Sequence, residues 1–71
     1  MIGIHEVITG KTYRIQGDME NGWWDGKPVV HANEITRPIS RIGDSKIYCR
    51  CGRVFLINDN LKIEKVSYEN Y

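Results

Sequence analysis

The chain has 71 residues and a formal net charge of +1, from ten Lys and Arg against nine Asp and Glu. This balance gives no long-range electrostatic attraction toward nucleic acid or acidic lipid, and no nucleic-acid partner is expected. At this length we expect one domain with a marginal core, because so small a fold buries only about 60% of the surface that its unfolded chain exposes.

The predicted elements are short β-strands. No segment keeps apolar residues at helical spacing, whereas Gly, Asn and Asp interrupt the sequence at short intervals. We therefore predict an all-β fold of short hairpins, with residues 1–66 as a single β domain and residues 67–71 as a frayed polar tail. The predicted strands are 2–8, 12–16, 28–31, 34–39, 46–51, 54–57 and 61–66.

In the first half of the chain, strands 2–8 and 12–16 are expected to form a hairpin around Gly10, since glycine supplies the positive φ that such turns require. Residues 17–26 are expected to form a loop. Pro38 is expected to confine its strand to a sheet edge or a strand end.

Two Gly-Asp dipeptides, Gly17-Asp18 and Gly43-Asp44, are predicted to be structural turns. An aspartate in a turn commonly accepts hydrogen bonds from the local backbone. The two carboxylates are therefore assigned to turn formation and not to catalysis.

Four soft metal ligands occur in the chain: His5, His31, Cys49 and Cys51. Two imidazoles and two thiolates can make a tetrahedral zinc site. Within strand 46–51 the two cysteines would share a face about 6 to 7 Å apart, close enough for both sulfurs to reach one ion. A metal would also stabilise a small core, which a disulfide across so short a loop would not. The alternative is that the cysteines are small buried hydrophobes and the histidines lie on the surface.

An enzyme is not expected. The chain has no P-loop, GxSxG or HExxH motif. A thiol enzyme built on Cys49 and Cys51 is a third alternative, but a cysteine nucleophile needs an activating base and an electropositive pocket.

Trp23 and Trp24 are adjacent, so both cannot point into one small core. At least one should be exposed or at an interface, and because tryptophan is enriched in binding hot spots the pair is a candidate partner surface. The alternative is that one tryptophan is a core residue and the other lies flat over it.

The segment 37–52, RPISRIGDSKIYCRCG, resembles the PAAR-repeat proteins that cap the trimeric spike of type VI secretion systems and contractile phage tails. The matching positions are Pro38, Arg41, Ile42, Gly43, Asp44, Cys49, Cys51 and Gly52, with Arg14, Gly17 and Asp18 as an earlier copy. The chain departs from the family's pattern at residues 19–24, which contain no histidine, and at Ile39 and Ser40, which replace alanines.

The resemblance implies a β-cone with a zinc ion near its tip, or iron as an alternative, held by His31 and Cys49 in preference to His5. It implies a non-enzymatic spike-tip protein whose partners are a trimeric spike protein and, during injection, the target envelope. The start of the chain has no basic region and no cleavage site, so the chain is expected to be made in the cytoplasm without a signal peptide. The resemblance implies that it then ends at the tip of a virion tail or secreted injection apparatus.

The main alternative is a small SH3-like barrel that acts as a binding module, such as a phage-encoded inhibitor of a host protein. A tryptophan-lined surface would then be the site that binds the host protein target.

Overall fold

Five antiparallel β-strands and one short 3₁₀ helix make up the computed structural model, which describes residues 2–66. The elements in chain order are a 3₁₀ helix (Ile4–Glu6), β1 (Thr12–Trp24), β2 (Lys27–Ile42), β3 (Lys46–Cys49), β4 (Val54–Leu56) and β5 (Lys62–Lys65). The prediction of an all-β fold is confirmed. A helix long and apolar enough to cross a membrane is not found between residues 2 and 66. The predicted tail at 67–71 lies outside the described residues.

A long hairpin of β1 and β2 forms the backbone of the fold. The two strands pair from Thr12 opposite Pro38 to Trp24 opposite Lys27. Asp25 and Gly26 connect them with φ angles of 53° and 76°. Two consecutive positive φ angles are characteristic of a type I′ turn, whose twist matches that of the flanking strands.

The remaining strands close the lower part of this hairpin into a ring. Along its other edge β1 pairs with β5 and then with β4, where Met19 lies opposite Phe55 and Glu20 opposite Val54. β3 lies between β2 and β4 and pairs with both. The pairing therefore runs from β1 through β2, β3 and β4 back to β1, so these four strands form a small closed barrel. Closure removes the unpaired strand edges over this part of the sheet.

The core lies inside the barrel. Because side chains alternate between the faces of a strand, β1 turns every second residue inward from Tyr13 to Met19. The buried hydrophobic residues of the described chain are Tyr13, Ile15, Met19, Ile39, Ile47, Cys49, Phe55 and Ile63. Full burial of one large apolar side chain stabilises the fold by about 1.5–3 kcal/mol relative to exposure.

The prediction of a turn at Gly17-Asp18 is wrong, because both residues lie inside β1. Glycine is needed at position 17 for a close approach: a Cβ atom there would lie 3.1 Å from the Cα of Leu61. Leu61 belongs to the segment Asn58–Leu61, which crosses over β1 at Gly17. Asp18 binds this segment, since its carboxylate accepts hydrogen bonds from the side-chain amides of Asn58 (2.9 Å) and Asn60 (3.0 Å). Gly43 and Asp44, in contrast, do lie in the connection between β2 and β3.

Three other sequence-based boundaries need correction. Residues 2–8 do not form a strand: they contain the 3₁₀ helix and a single bridge from Ile2 to Ile63. The predicted loop 17–26 is mostly strand, and the predicted strands 28–31 and 34–39 are parts of one continuous β2. The prediction for Pro38 is also corrected: Pro38 does not end its strand but lies within β2, where the strand changes its pairing partner from β1 to β3.

Candidate functional site

The upper end of the β1–β2 hairpin, residues 21–30, projects beyond the barrel and is called the arm below. The pairing of β1 with β4 stops at Glu20, which lies opposite Val54 at the start of β4. From residue 21 to residue 24, β1 pairs with β2 alone among the described strands. None of the ten residues in the arm is buried. A two-stranded hairpin without a core contact contributes little to the stability of a domain. The arm is therefore a candidate for function.

The arm carries most of the exposed hydrophobic surface of the described chain. Trp23 is 72% exposed and Trp24 is 78% exposed, and Val30 is also exposed. Ile8, at 56%, is the remaining exposed large hydrophobic residue between residues 2 and 66. The alternative in which one tryptophan belongs to the core is wrong, whereas the prediction that at least one is exposed is confirmed.

The two tryptophans lie on opposite sides of the arm. Trp23 is paired with Pro28 and Trp24 with Lys27, directly below the type I′ turn. Since successive residues of a strand point to opposite faces, each face of the arm presents one indole. A binding partner would thus meet an aromatic side chain whichever face it contacts.

A β-bulge forms the base of the arm, where it meets the barrel. Between the pairs at Glu20 and Trp23, β1 has two residues, Asn21 and Gly22, where β2 has one. Gly22 has φ 86°, which favours glycine. Bulges bend a hairpin and increase its twist, so this bulge determines the direction of the arm. Just below it, Lys46 Nζ lies 2.6 Å from Glu20 Oε1, an ion pair that ties the base of the arm to β3.

The four predicted metal ligands do not form one cluster in the described structure. Cys49 is buried at the end of β3, whereas Cys51 is exposed in the turn that follows, so the two do not share a strand face as predicted. His31 lies on β2 opposite Met19, and His5 lies in the 3₁₀ helix. Among residues 2–66 no three His, Cys, Asp or Glu side chains are grouped so that they could hold a metal ion. The zinc and iron assignments stay predictions.

Cys49 is in an environment that disfavours its thiolate. Burial raises the pKa of the Cys49 thiol to about 11, Cys51 adds to the rise, and Arg37 opposes it. Since the thiolate is the nucleophilic form, the environment of Cys49 gives no support to the thiol-enzyme alternative.

A second surface feature is an open groove beside the Asn58–Leu61 segment. Its lining residues are Gln16, Gly17, Asp18, Ala32, Asp59, Asn60 and Lys62. Hydrogen bonds from Asn60 and Asn58 lower the pKa of Asp18, so its carboxylate stays charged and fixed to this segment. Asp18 in the groove thus has a structural role, and the arm is the better candidate for the functional site.

Comparison of the chain with protein-family models, with curated proteins and with solved structures finds no match. The evidence for function is therefore the geometry of the arm and the charges around it. The sequence contained one signal for the arm that the prediction of a loop did not use: Asp25-Gly26 is a preferred type I′ dipeptide and indicates a hairpin.

Proposed function

We propose that this protein is a non-enzymatic binding module that inserts the arm into a cleft on a partner protein, with Trp23 and Trp24 as anchors. The observation that carries the proposal is the exposure of both indoles at the end of a projecting hairpin. Indole side chains bury about 150–250 Å² each when they are covered, which makes them large contributors to binding. A surface with two exposed indoles gains binding free energy when a partner removes them from water.

A cleft fits this geometry better than a flat surface does. The two indoles belong to opposite faces of the arm, so a flat partner would cover only one of them. A partner with two walls would cover both, together with Val30. Tryptophan is one of the residues enriched in interface hot spots, which lie in well-packed pockets of this kind.

The strand pairing supports the barrel alternative in preference to the tapering cone. A PAAR-like cone was expected to repeat a Gly-Asp corner, but Gly17-Asp18 lies inside β1. β1 also pairs with both β2 and β4, which closes the sheet. The resemblance to PAAR-repeat proteins and the spike-tip assignment stay predictions, and the identity of the partner would decide them.

Affinity capture from the cells that naturally produce the chain tests the proposed function. The test variant is Trp23→Ala/Trp24→Ala. We expect the wild-type chain to capture a defined protein and the double variant to capture at least about tenfold less of that protein. The reason is that loss of one hot-spot anchor weakens binding by about 2 kcal/mol or more, which is roughly thirtyfold in affinity.

Ile8→Ala is the matched control, because it removes the exposed large hydrophobic residue that lies outside the arm. It should capture the same protein in the same amount. Equal capture by the double variant and the wild type would contradict the proposal. A trimeric spike protein as the captured partner would support the spike-tip prediction, whereas a host enzyme or regulator would support the inhibitor alternative.

A further inference from the structure

The net charge of +1 conceals a strong asymmetry along the chain. Residues 37–53 contain five basic residues against one acidic residue, Asp44, which gives this segment a formal charge of +4. The rest of the chain contains five basic against eight acidic residues, a formal charge of −3. The segment forms the end of β2, all of β3 and the turn that leads to β4.

Four arginines in this segment form what we call the arginine patch: Arg37, Arg41, Arg50 and Arg53. All four are exposed, and within residues 2–66 none has a carboxylate within 4.0 Å. The fifth arginine differs, since Arg14 Nε lies 2.6 Å from Glu34 and its Nη1 lies 3.9 Å from Glu64. Among the described residues, Arg14 is thus paired with carboxylates, whereas the four arginines of the patch are not.

The strand pairing brings the two halves of the patch together. The backbone N–H of Arg50 donates to the carbonyl of Pro38, the residue that follows Arg37 on β2. Arg41 lies in register with Tyr48. From Arg37 to Arg41 the patch extends about 13 Å along β2 at the usual rise per residue.

The patch also borders the base of the arm. Arg53 directly precedes Val54, which is paired with Glu20, the last residue of β1 before the bulge. Trp23 lies three residues beyond Glu20 on β1, about 10 Å from Glu20 at the usual strand rise. One partner of ordinary interface size can therefore contact both the arm and the patch.

Two guanidiniums of the patch already have a contact within the chain, and Nη1 of Arg37 donates to the carbonyl of Thr36 (2.7 Å). Arg41 lies over the ring of Tyr48, with Cζ 4.3 Å from the ring centroid. A cation above an aromatic ring is stabilised there and loses less side-chain freedom when it binds. Arginine presents paired N–H groups that match the two oxygens of a carboxylate or a phosphate.

We propose that the arginine patch binds carboxylates on an acidic face of the partner protein that receives the arm, an inference that rests on the proposed function. Tryptophan and arginine together are the typical composition of protein-interface hot spots. A nucleic acid has the same pairing chemistry but is a long polyanion. It would extend beyond the patch toward the rest of the chain, whose formal charge of −3 repels it.

The test uses two labelled probes at low ionic strength: a short peptide of alternating glutamate and glycine, and an oligothymidylate with the same number of charges. Fluorescence anisotropy measures the binding of each. We expect the wild-type chain to bind the glutamate peptide more tightly than the oligothymidylate, with an affinity that falls as salt rises. Absence of peptide binding, or tighter binding of the oligothymidylate, would overturn the inference.

The variant Arg37→Gln/Arg50→Gln/Arg53→Gln leaves the stacked Arg41 in place and should bind the peptide about tenfold more weakly, since three exposed pairs at about 0.5 kcal/mol each amount to this factor. The control Lys11→Gln/Lys62→Gln/Lys65→Gln removes the same charge from exposed lysines outside the patch. It should change the affinity by less than about twofold, because only long-range attraction is lost. Equal losses in the two variants would overturn the inference.

The Trp23→Ala/Trp24→Ala variant separates this inference from the proposed function. Its patch is intact, so it should bind the glutamate peptide like the wild type while failing to capture the partner. If the double variant still captures the partner, the proposed function fails although the patch binds carboxylates. If it loses the partner and the wild type does not bind the peptide, the proposed function stands and the inference about the patch fails.

Discussion

The barrel and the arm are parts of the same two strands, but they bury their side chains in opposite ways. Within the barrel β1 buries every second residue up to Met19, whereas beyond Glu20 it buries none. The difference arises from the neighbours of the hairpin, because β4 and β5 pair with β1 only between Tyr13 and Glu20. The barrel thus has a stabilising role, and the arm is free to carry exposed aromatic residues.

The largest expected contrast is between an aromatic residue of the core and one of the arm. Phe55 is fully buried, whereas Trp24 is 78% exposed. Phe55→Ala should lower the free energy of unfolding by about 3–5 kcal/mol, because it removes apolar contacts and leaves a cavity. Trp24→Ala should change it by less than about 0.5 kcal/mol, as for most surface substitutions. Urea denaturation measures both, and similar losses would mean that the arm belongs to the core.

A second expected effect concerns the crossing of the Asn58–Leu61 segment over β1. Gly17→Ala should destabilise the protein by about 1–3 kcal/mol, because the new methyl group would lie 3.1 Å from the Leu61 backbone and force it to move. Gly43→Ala is the control, since its Cβ would be in ordinary contact, 3.4 Å from Cε1 of Tyr48. Thermal unfolding of the two variants compares them. An unchanged midpoint for Gly17→Ala would contradict the described crossing.

A smaller and purely local effect is expected at the end of the arm. Gly26 has φ 76° and its surroundings are open, so Gly26→Ala adds backbone strain without a clash. The cost of about 1 kcal/mol should fall on the hairpin turn. Hydrogen exchange should become faster in the arm and stay unchanged at Ile15 and Phe55. Faster exchange throughout the barrel would show that the arm and the barrel unfold together.

The smallest expected effect is the response of the two cysteines to alkylation and pH. At neutral pH iodoacetamide should modify the exposed Cys51 before the buried Cys49, whose pKa is raised to about 11. The pKa of Cys49 is higher in the folded state than its ordinary value of about 8.5. The protonated thiol therefore contributes fully to the free energy of unfolding below about pH 8.5. This contribution is lost as the pH rises toward about 11. Mass spectrometry locates the modified residue, and faster modification of Cys49 would contradict its burial.

The sequence predicted the barrel better than the arm because alternation of apolar and polar residues is a signal of one-sided burial. Ile47 and Cys49 alternate with polar residues, and both are buried on β3 as that pattern predicts. In the arm both faces are exposed, so no alternation exists and its glycines indicate a loop. The sequence predicts a turn at Gly17 because a glycine required for a turn and one required for a close approach look the same in a sequence.

The arginine patch could be predicted only in part. The excess of arginine in residues 37–53 can be counted from the sequence, but its position beside the arm depends on the pairing of β4 with β1. That pairing joins residues more than thirty positions apart, and no local pattern specifies it. The failure of Cys49 and Cys51 to share a strand face has a different cause, since β3 ends at Cys49 and Cys51 lies in the turn that follows.

Photo-crosslinking from the arm tests the central claim most directly. A photoreactive amino acid is placed at position 23, at position 24 or, as a control, at position 8, and the chain is irradiated in the cells that naturally produce it. We expect crosslinks from positions 23 and 24 to the same partner protein, in peptides from two walls of one cleft, and none from position 8. Crosslinks from position 8 alone, or none from either position of the arm, would contradict the assignment of the arm as the binding site.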